Sequence, residues 1–224
     1  MKKYLLGSSL LLASFISPSF ADESNDFYLK IGGGLTFPSD VETKETVDGT
    51  VYDTTFETDN SGIFSAGIGK EFYGYKLEFE YSKTQLASDE VTSKTGGIGI
   101  SASMSPDLEA EVSSYMVYGI KEFNNDSKFT PYAGIGLGTA SFDLDPQTVT
   151  VQGIAFSVAG ESESAFSFAL RGGADYEIAD NTFLYSEVTY QNLASFKSEK
   201  PGFTTVTFDS NNYFSITAGV KFSF

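Results

Sequence analysis

The amino-acid sequence predicts an all-β fold, an eight-stranded antiparallel up-and-down transmembrane β-barrel. Eight segments alternate apolar side chains with small, polar or charged ones. The connections between these segments alternate between short and long, as they do when hairpins point to opposite sides of a membrane. Charged side chains fall almost entirely on the less apolar face of the segments, which leaves an apolar face for lipid.

The first 21 residues are expected to act in targeting and not in folding. A basic start at Lys2 and Lys3 precedes the apolar residues 4–16, and a small-x-small cleavage motif ends at Ala21. This pattern is typical of a cleaved secretory signal peptide, with a buried N-terminal helix as the alternative. The barrel domain is then residues 22–224, and no segment within it approaches the roughly 20 apolar residues that a membrane helix needs.

The predicted strands follow one another from residue 28 onward. They lie at about 28–37, 64–69, 75–82, 116–121, 129–138, 166–177, 184–190 and 214–224. The last is the clearest, because Phe214, Ile216 and Val220 alternate with polar or small residues. The fourth is the weakest, and its pattern places Met116, Tyr118 and Ile120 toward lipid and Val117, Gly119 and Lys121 inside.

The connections predict which end of the barrel faces outward. Short turns are expected at 73–74, 123–128 and 178–182, and long connections at 38–61, 84–113, 141–164 and 193–211. Outer-membrane barrels combine short periplasmic turns with longer extracellular loops. Turn signals at Asp48-Gly49, Gln152-Gly153 and Pro201-Gly202 predict hairpins that extend the barrel into solvent. Two extra strands within 141–164 leave a ten-stranded barrel as an alternative.

The segregation of charge predicts a charged barrel interior. On the apolar face the charges are Lys70, Lys83 and Glu122, all at strand ends. A Lys or Arg on the lipid face at mid-bilayer costs about 2–4 kcal/mol, so charges are expected to face the lumen. The expected lumen network consists of Lys30, Lys76, Glu78, Glu80, Lys121, Arg171, Asp175, Glu177, Glu187 and Lys221.

This lining has two interpretations. Five basic and five acidic groups favour a salt-bridge network that fills a narrow barrel. A selectivity charge in a channel is the alternative, because many inward positions are glycines, which leave space. These are Gly32, Gly34, Gly67, Gly69, Gly119, Gly134, Gly136, Gly138, Gly173 and Gly219.

Composition excludes several functions. The chain has no histidine and no cysteine, so Ser-His-Asp and Cys-His nucleophile systems and zinc fingers are ruled out. A net charge of −16 argues against nucleic-acid binding. The four long connections hold 18 acidic and 4 basic residues, which suits either a solvated, repulsive surface or a site for divalent cations or a basic partner. No cofactor, metal site or catalytic residue is predicted.

Three stretches resemble the small outer-membrane β-barrel family, the porin-like, opacity-protein and surface-antigen type with OmpA/OmpX-like barrels. Residues 129–138 have the aromatic-x-Pro-Tyr-small-Gly-x-Gly-x-Gly form of the fifth strand, and residues 168–177 resemble the sixth. The C-terminal residues Val220, Phe222 and Phe224 resemble the signal that the outer-membrane insertion machinery reads. The resemblance implies a Gram-negative-type outer-membrane protein that needs the secretion translocon and the barrel-assembly machinery for biogenesis.

The function expected from this resemblance is non-enzymatic. It comprises surface structure, adhesion or envelope integrity, carried by acidic extracellular loops, and the alternative is a small porin with a narrow water-filled channel. The enzymes of this class that act on lipid A, phospholipid or peptide are expected to need histidine, which this chain lacks. The expected partners are outer-membrane lipid and lipopolysaccharide, and the sequence does not identify an extracellular partner.

Overall fold

A computed structural model describes residues 27–47, 50–72, 75–95, 98–123, 125–198 and 206–224. Eight of its strands close into an antiparallel ring in which β1 pairs with β14. These strands are β1 (Phe27–Pro38), β4 (Ser61–Phe72), β5 (Tyr75–Thr95), β6 (Ile98–Glu122), β7 (Phe129–Leu144), β10 (Glu161–Ala179), β11 (Thr182–Leu193) and β14 (Asn211–Ser223). The predicted eight-stranded barrel is therefore confirmed.

Six shorter strands continue the sheet at the end where the long connections lie. They are β2 (Val41–Val47), β3 (Thr50–Glu57), β8 (Gln147–Val151), β9 (Ile154–Val158), β12 (Phe196–Ser198) and β13 (Val206–Phe208). β13, β2 and β3 continue side by side onto β5, while β8 pairs with β6 and β9. We call these six strands, with residues 85–95 of β5 and 98–111 of β6, the extension.

The ten-stranded alternative is wrong. β7 pairs directly with both β6 and β10, so the hairpin of β8 and β9 adds no strand to the ring. It forms its own hairpin because Gln152 and Gly153 have φ values of 49° and 80°, the left-handed conformation that a tight two-residue turn needs. The hairpin pairs with β6 at Met104 and Ser105, beyond the barrel.

Several predicted features lie outside the described residues. They are the signal peptide with its Ala21 cleavage site, the Asp48-Gly49 and Pro201-Gly202 turns, and the 73–74 connection. The strands that flank the two turns do pair, β2 with β3 and β12 with β13.

The barrel is apolar outside and polar inside. The outward side chains of Ile31 and Ile135 are 52% and 66% exposed, while Lys30, Glu78 and Arg171 point inward and are 5% or less exposed. An apolar outer band beside a polar interior suits a barrel surrounded by lipid. None of the described residues forms a helix long and apolar enough to cross a membrane.

The predicted orientation of the fourth barrel strand is wrong. The inward residues of β6 are Met116, Tyr118, Ile120 and Glu122, and the outward ones are Val117, Gly119 and Lys121. The reason lies on the neighbouring strand β7, where inward glycines leave room for large side chains. A Cβ at Gly136 would lie only 2.5 Å from Tyr118 Cε1, and one at Gly134 would lie 2.9 Å from Ile120 Cγ1. The small residues of one strand thus fit the large residues of the next.

Candidate functional site

Five buried charged side chains at the middle of the barrel form what we call the central cluster: Lys30, Glu78, Glu80, Arg171 and Glu187. Lys30 Nζ lies 3.1 Å from Glu78 Oε1, 2.9 Å from Glu80 Oε2 and 2.9 Å from Glu187 Oε2. Arg171 joins the same carboxylates, with Nη1 2.7 Å from Glu78 Oε1 and Nη2 2.5 Å from Glu80 Oε1. Because β1, β5, β10 and β11 supply these groups, the cluster connects opposite walls of the barrel.

Neutral side chains complete the surroundings of the buried carboxylates. The Tyr28 hydroxyl donates to Glu78 at 2.8 Å, and the Tyr132 hydroxyl donates to Glu187 at 2.9 Å. The Arg171 guanidinium lies 3.6 Å from the centroid of the Tyr118 ring. Buried charges need hydrogen bonds of this kind in addition to their ionic partners, and the two tyrosines supply them here.

A second group, the lower cluster, lies nearer the short turns and consists of Lys76, Glu122, Asp175 and Lys221. Lys76 pairs with Glu122 and lies 3.7 Å from Asp175, while Lys221 pairs with Asp175 and lies 3.9 Å from Glu122. Two cations therefore face two carboxylates here, whereas the central cluster has two cations and three carboxylates. Between the two clusters, the excess of negative charge belongs to the central one.

The interior is also filled on the side of the extension. Gln191 Nε2 donates to Ser114 Oγ at 3.1 Å and to Ser167 Oγ at 2.9 Å. The next layer is a buried apolar group of Leu86, Val112, Ala140, Leu193 and Tyr213. A polar layer and then an apolar layer thus separate the central cluster from the extension.

Several inward glycines accommodate large side chains of neighbouring strands. A Cβ at Gly173 would lie 2.6 Å from the Tyr132 ring, and one at Gly219 would lie 2.7 Å from the Tyr185 ring. The void lined by the lower cluster and the void lined by part of the central cluster each measure about 10 Å³. Each has room for about one water molecule.

Eight of the ten residues predicted for the lumen network lie in the two clusters. Of the other two, Glu177 is half-buried at the short-turn rim. The predicted inward position of Lys121 is wrong, because Lys121 points outward and its Nζ lies 4.2 Å from the Tyr75 ring centroid. Sequence reasoning missed Glu122, which it had placed on the lipid face. The alternation in β6 contained this signal, since Glu122 and Lys121 exchange places once Tyr118 is assigned to the interior.

The C-terminal residues of the predicted assembly signal lie on the outer surface of β14 or just after it. Phe222 and Phe224 are outward and exposed, Val220 is half-buried, and the Phe224 ring stacks on Phe27 with centroids 6.3 Å apart. Their recognition by the insertion machinery stays a prediction, as does cleavage after Ala21.

The extension and the adjoining ends of β7 and β10 line a cavity of about 350 Å³. Its walls are mostly apolar and include Leu86, Leu108, Phe142 and Phe208. Glu45 and Glu161 also line it, and no lysine or arginine does so among the described residues. The cavity therefore suits an apolar group of small-molecule or side-chain size.

The surface of the extension carries carboxylates close to one another. Glu57 on β3 lies directly opposite Glu90 on β5, and the negative charge of Glu90 raises the pKa of Glu57. Asp40 and Asp89 act in the same direction. Within the described residues, no group of three or more acidic side chains is arranged to hold a metal ion.

Comparisons with known proteins agree with this architecture. The sequence model of the family described as outer membrane protein beta-barrel domain matches residues 8–222. Outer membrane protein PagN of Salmonella typhimurium is 26% identical over 146 residues, which is 62% of this chain and 61% of that protein. The match therefore spans somewhat less than two thirds of that relative.

Two further proteins match along nearly their whole length. Outer membrane protein W of Vibrio cholerae serotype O1 is 24% identical over 226 aligned positions, covering 99% of this chain and 100% of that protein. The crystal structure of the outer membrane protein OprG from Pseudomonas aeruginosa matches with a TM-score of 0.57 at 15% identity, covering 89% of this chain and 95% of that one. The structural match shows a shared fold.

Proposed function

The chain belongs to the outer membrane protein β-barrel family, and from this premise we propose that it is a closed, non-enzymatic barrel that acts through its extension at the cell surface. The function is recognition or adhesion, with the acidic long-connection end facing outward and the short turns facing the periplasm. Lipopolysaccharide and phospholipid surround the barrel, and the secretion translocon and barrel-assembly machinery act during biogenesis.

The filled interior is the observation that carries this proposal. Ion pairs join opposite walls at the central cluster, and the two voids beside the clusters are each about the size of one water molecule. Opening a path would require breaking ion pairs that are buried on all sides, which is costly. These contacts favour the closed barrel over the small porin.

Single-channel conductance tests the closed state. Refolded residues 22–224 in a planar bilayer should give no discrete steps, with insertion verified separately and boiled protein as the control. A double variant, Lys30→Ala with Arg171→Ala, removes both cations of the central cluster and should admit water and small ions. Discrete steps from the unaltered protein would instead establish the porin.

The extension cavity supplies the recognition element of the proposal. Its apolar walls suit an apolar group, while the carboxylates around it favour a neutral or cationic ligand over an anionic one. A neutral fluorescent naphthylamine should bind saturably to the protein in lipid nanodiscs, after subtraction of empty nanodiscs. Ala110→Phe fills the cavity from a buried lining position and should abolish this binding, whereas Ala155→Phe on the exposed strand β9 should retain it.

Three outcomes would count against parts of this proposal. Absence of saturable binding to the unaltered protein would remove the cavity as a recognition element. Equal binding by Ala110→Phe and the unaltered protein would place the probe elsewhere. Lipase or protease activity in the refolded protein would overturn the non-enzymatic assignment.

A further inference from the structure

The outer surface of the barrel carries an isolated pair of cations near the short turns. Among the described outward positions of the barrel strands in this half, the charged side chains are Lys70 on β4 and Lys121 on β6. Both are basic, although the chain as a whole has a net charge of −16. The positive charge is therefore a local property of this surface.

Both lysines are held against aromatic rings. Lys70 Nζ lies 4.6 Å from the Phe27 ring centroid and 5.3 Å from that of Phe72. Lys121 Nζ lies 4.2 Å from the Tyr75 ring centroid. Cation–π contacts stabilise an ammonium group at a membrane boundary but do not neutralise it.

Neither lysine forms an ion pair within the described part of the chain. The outward Lys83 near the opposite end differs, because its Nζ lies 2.6 Å from Glu111 Oε2. Lys70 and Lys121 thus have no ionic partner on the described part of this surface.

The sheet register brings the two lysines to one patch. Lys70 is opposite Leu77 on β5, and Lys121 is opposite Tyr75 on the same strand. Since neighbouring strands lie about 4.8 Å apart, the two backbones are roughly 10 Å apart across β5. Lys70 Nζ rests against Phe27 on β1, on the other side of β4, so binding of one headgroup at both lysines requires the Lys70 side chain to turn toward β5.

The surface beside Lys121 has space for an acyl chain, while the outward Tyr75 and Leu77 of β5 lie between the two lysines. Gly119 lies opposite Leu77 and faces outward, and no atom lies within 4 Å of the position that a Cβ would occupy. The patch consequently combines two cations, flanking aromatic rings and a shallow apolar recess.

We propose that Lys70 and Lys121 bind an anionic phospholipid of the periplasmic leaflet, with its phosphate at the two ammonium groups and an acyl chain over Gly119. The leaflet follows from the orientation proposed above. A zwitterionic lipid brings its own cation to the phosphate, so it neutralises the lysines less well. An anionic headgroup supplies the negative charge that the protein does not provide at this patch.

Native mass spectrometry of the refolded barrel in detergent tests this site. Phosphatidylglycerol should bind more tightly than phosphatidylcholine with the same acyl chains. The Lys70→Gln, Lys121→Gln double variant should lose phosphatidylglycerol affinity by about 30-fold. The matched control, Lys83→Gln with Lys94→Gln, removes the same charge from other positions and should keep the affinity of the unaltered protein.

The outcomes separate this proposal from the function proposed above. Replacing both lysines by arginine should restore phosphatidylglycerol binding, and the single glutamine variants give the same test if the double variant does not refold. Equal affinity for the two lipids, or equal losses in the test and control variants, would overturn the site. Naphthylamine binding in the extension should be the same in all these variants, so either proposal can fail alone.

Discussion

The barrel and the extension have opposite patterns although they share two strands. In the barrel part of β5, Glu78 and Glu80 point inward and Phe79 points outward to lipid. Further along the same strand Leu86 is buried inside, and Asp89 is exposed. β6 makes the same change. In the barrel, inward Tyr118 and Met116 alternate with outward Val117, whereas in the extension buried Ala110 and Val112 follow exposed Asp107 and Glu109.

This inversion shows that the surroundings determine which face is apolar. Strand geometry places alternate side chains on opposite sides in both regions. Lipid outside the barrel accepts apolar side chains and leaves charges to the interior, while water outside the extension admits exposed charges such as Asp89 beside exposed apolar residues such as Ile100. The two regions should therefore respond oppositely to the same kind of substitution.

Removal of a charged side chain is expected to give the largest difference in stability between the barrel and the extension. Arg171→Leu leaves three buried carboxylates with Lys30 as the remaining cation, so the free energy of unfolding should fall by about 3–5 kcal/mol. Urea unfolding of the protein refolded in lipid vesicles, followed by the gel shift between boiled and unboiled samples, measures this change. Lys44→Gln removes one partner of the exposed Lys44–Asp209 pair in the extension and should leave the midpoint nearly unchanged.

Similar midpoints for the two variants would show that the central cluster does not hold the barrel together. The barrel and the extension would then differ only in their contact with lipid. If Arg171→Leu still folds but conducts ions, the central cluster keeps the barrel closed and does not stabilise its fold.

Introduction of a charged side chain on the outer surface is expected to give the next largest difference in stability between the two regions. Ile135 in the barrel and Ile100 in the extension are both 66% exposed, so they form a matched pair. Ile135→Arg places a cation against lipid and should cost about 2–4 kcal/mol, whereas Ile100→Arg faces water and should have little effect. The same urea titration measures both variants, and equal costs would mean that the two isoleucines have the same surroundings.

Sequence reasoning predicted the barrel well because seven of its strands separate apolar from polar residues clearly. It failed at β6, where Val117 and Gly119 on one face and Met116 and Tyr118 on the other are all compatible with lipid. The choice depends on Gly136 and its neighbours on β7, a contact that no single strand contains. Eight of the network residues could be predicted, but Glu122 and Lys121 were exchanged by this one error.

The fit between β6 and β7 gives a smaller predicted effect. Gly136→Val would crowd the Tyr118 ring beside Arg171 and should destabilise the barrel by about 1–3 kcal/mol. Gly119→Val is the control, because this neighbouring glycine points outward into open space. Urea midpoints that fall equally in both variants would contradict the assigned orientation of β6.

The smallest effect is expected where two carboxylates face each other in the extension. The pKa of Glu57 is raised by the charge of Glu90, with smaller contributions from Asp40 and Asp89. Since the folded state binds this proton more tightly than the unfolded state, the pairing of β3 with β5 should become more stable as pH falls through the raised pKa.

Glu57→Gln should protect the β3 amides from exchange at neutral pH as much as low pH protects them in the unaltered protein. Amide exchange of β3, corrected for intrinsic rates, measures this protection. Glu111→Gln is the matched control, because this carboxylate faces Lys83 and not another carboxylate, and it should give no added protection at neutral pH. Unchanged exchange in Glu57→Gln would mean that water screens the two carboxylates fully, and the extension would then differ from the barrel in having charges that do not interact measurably.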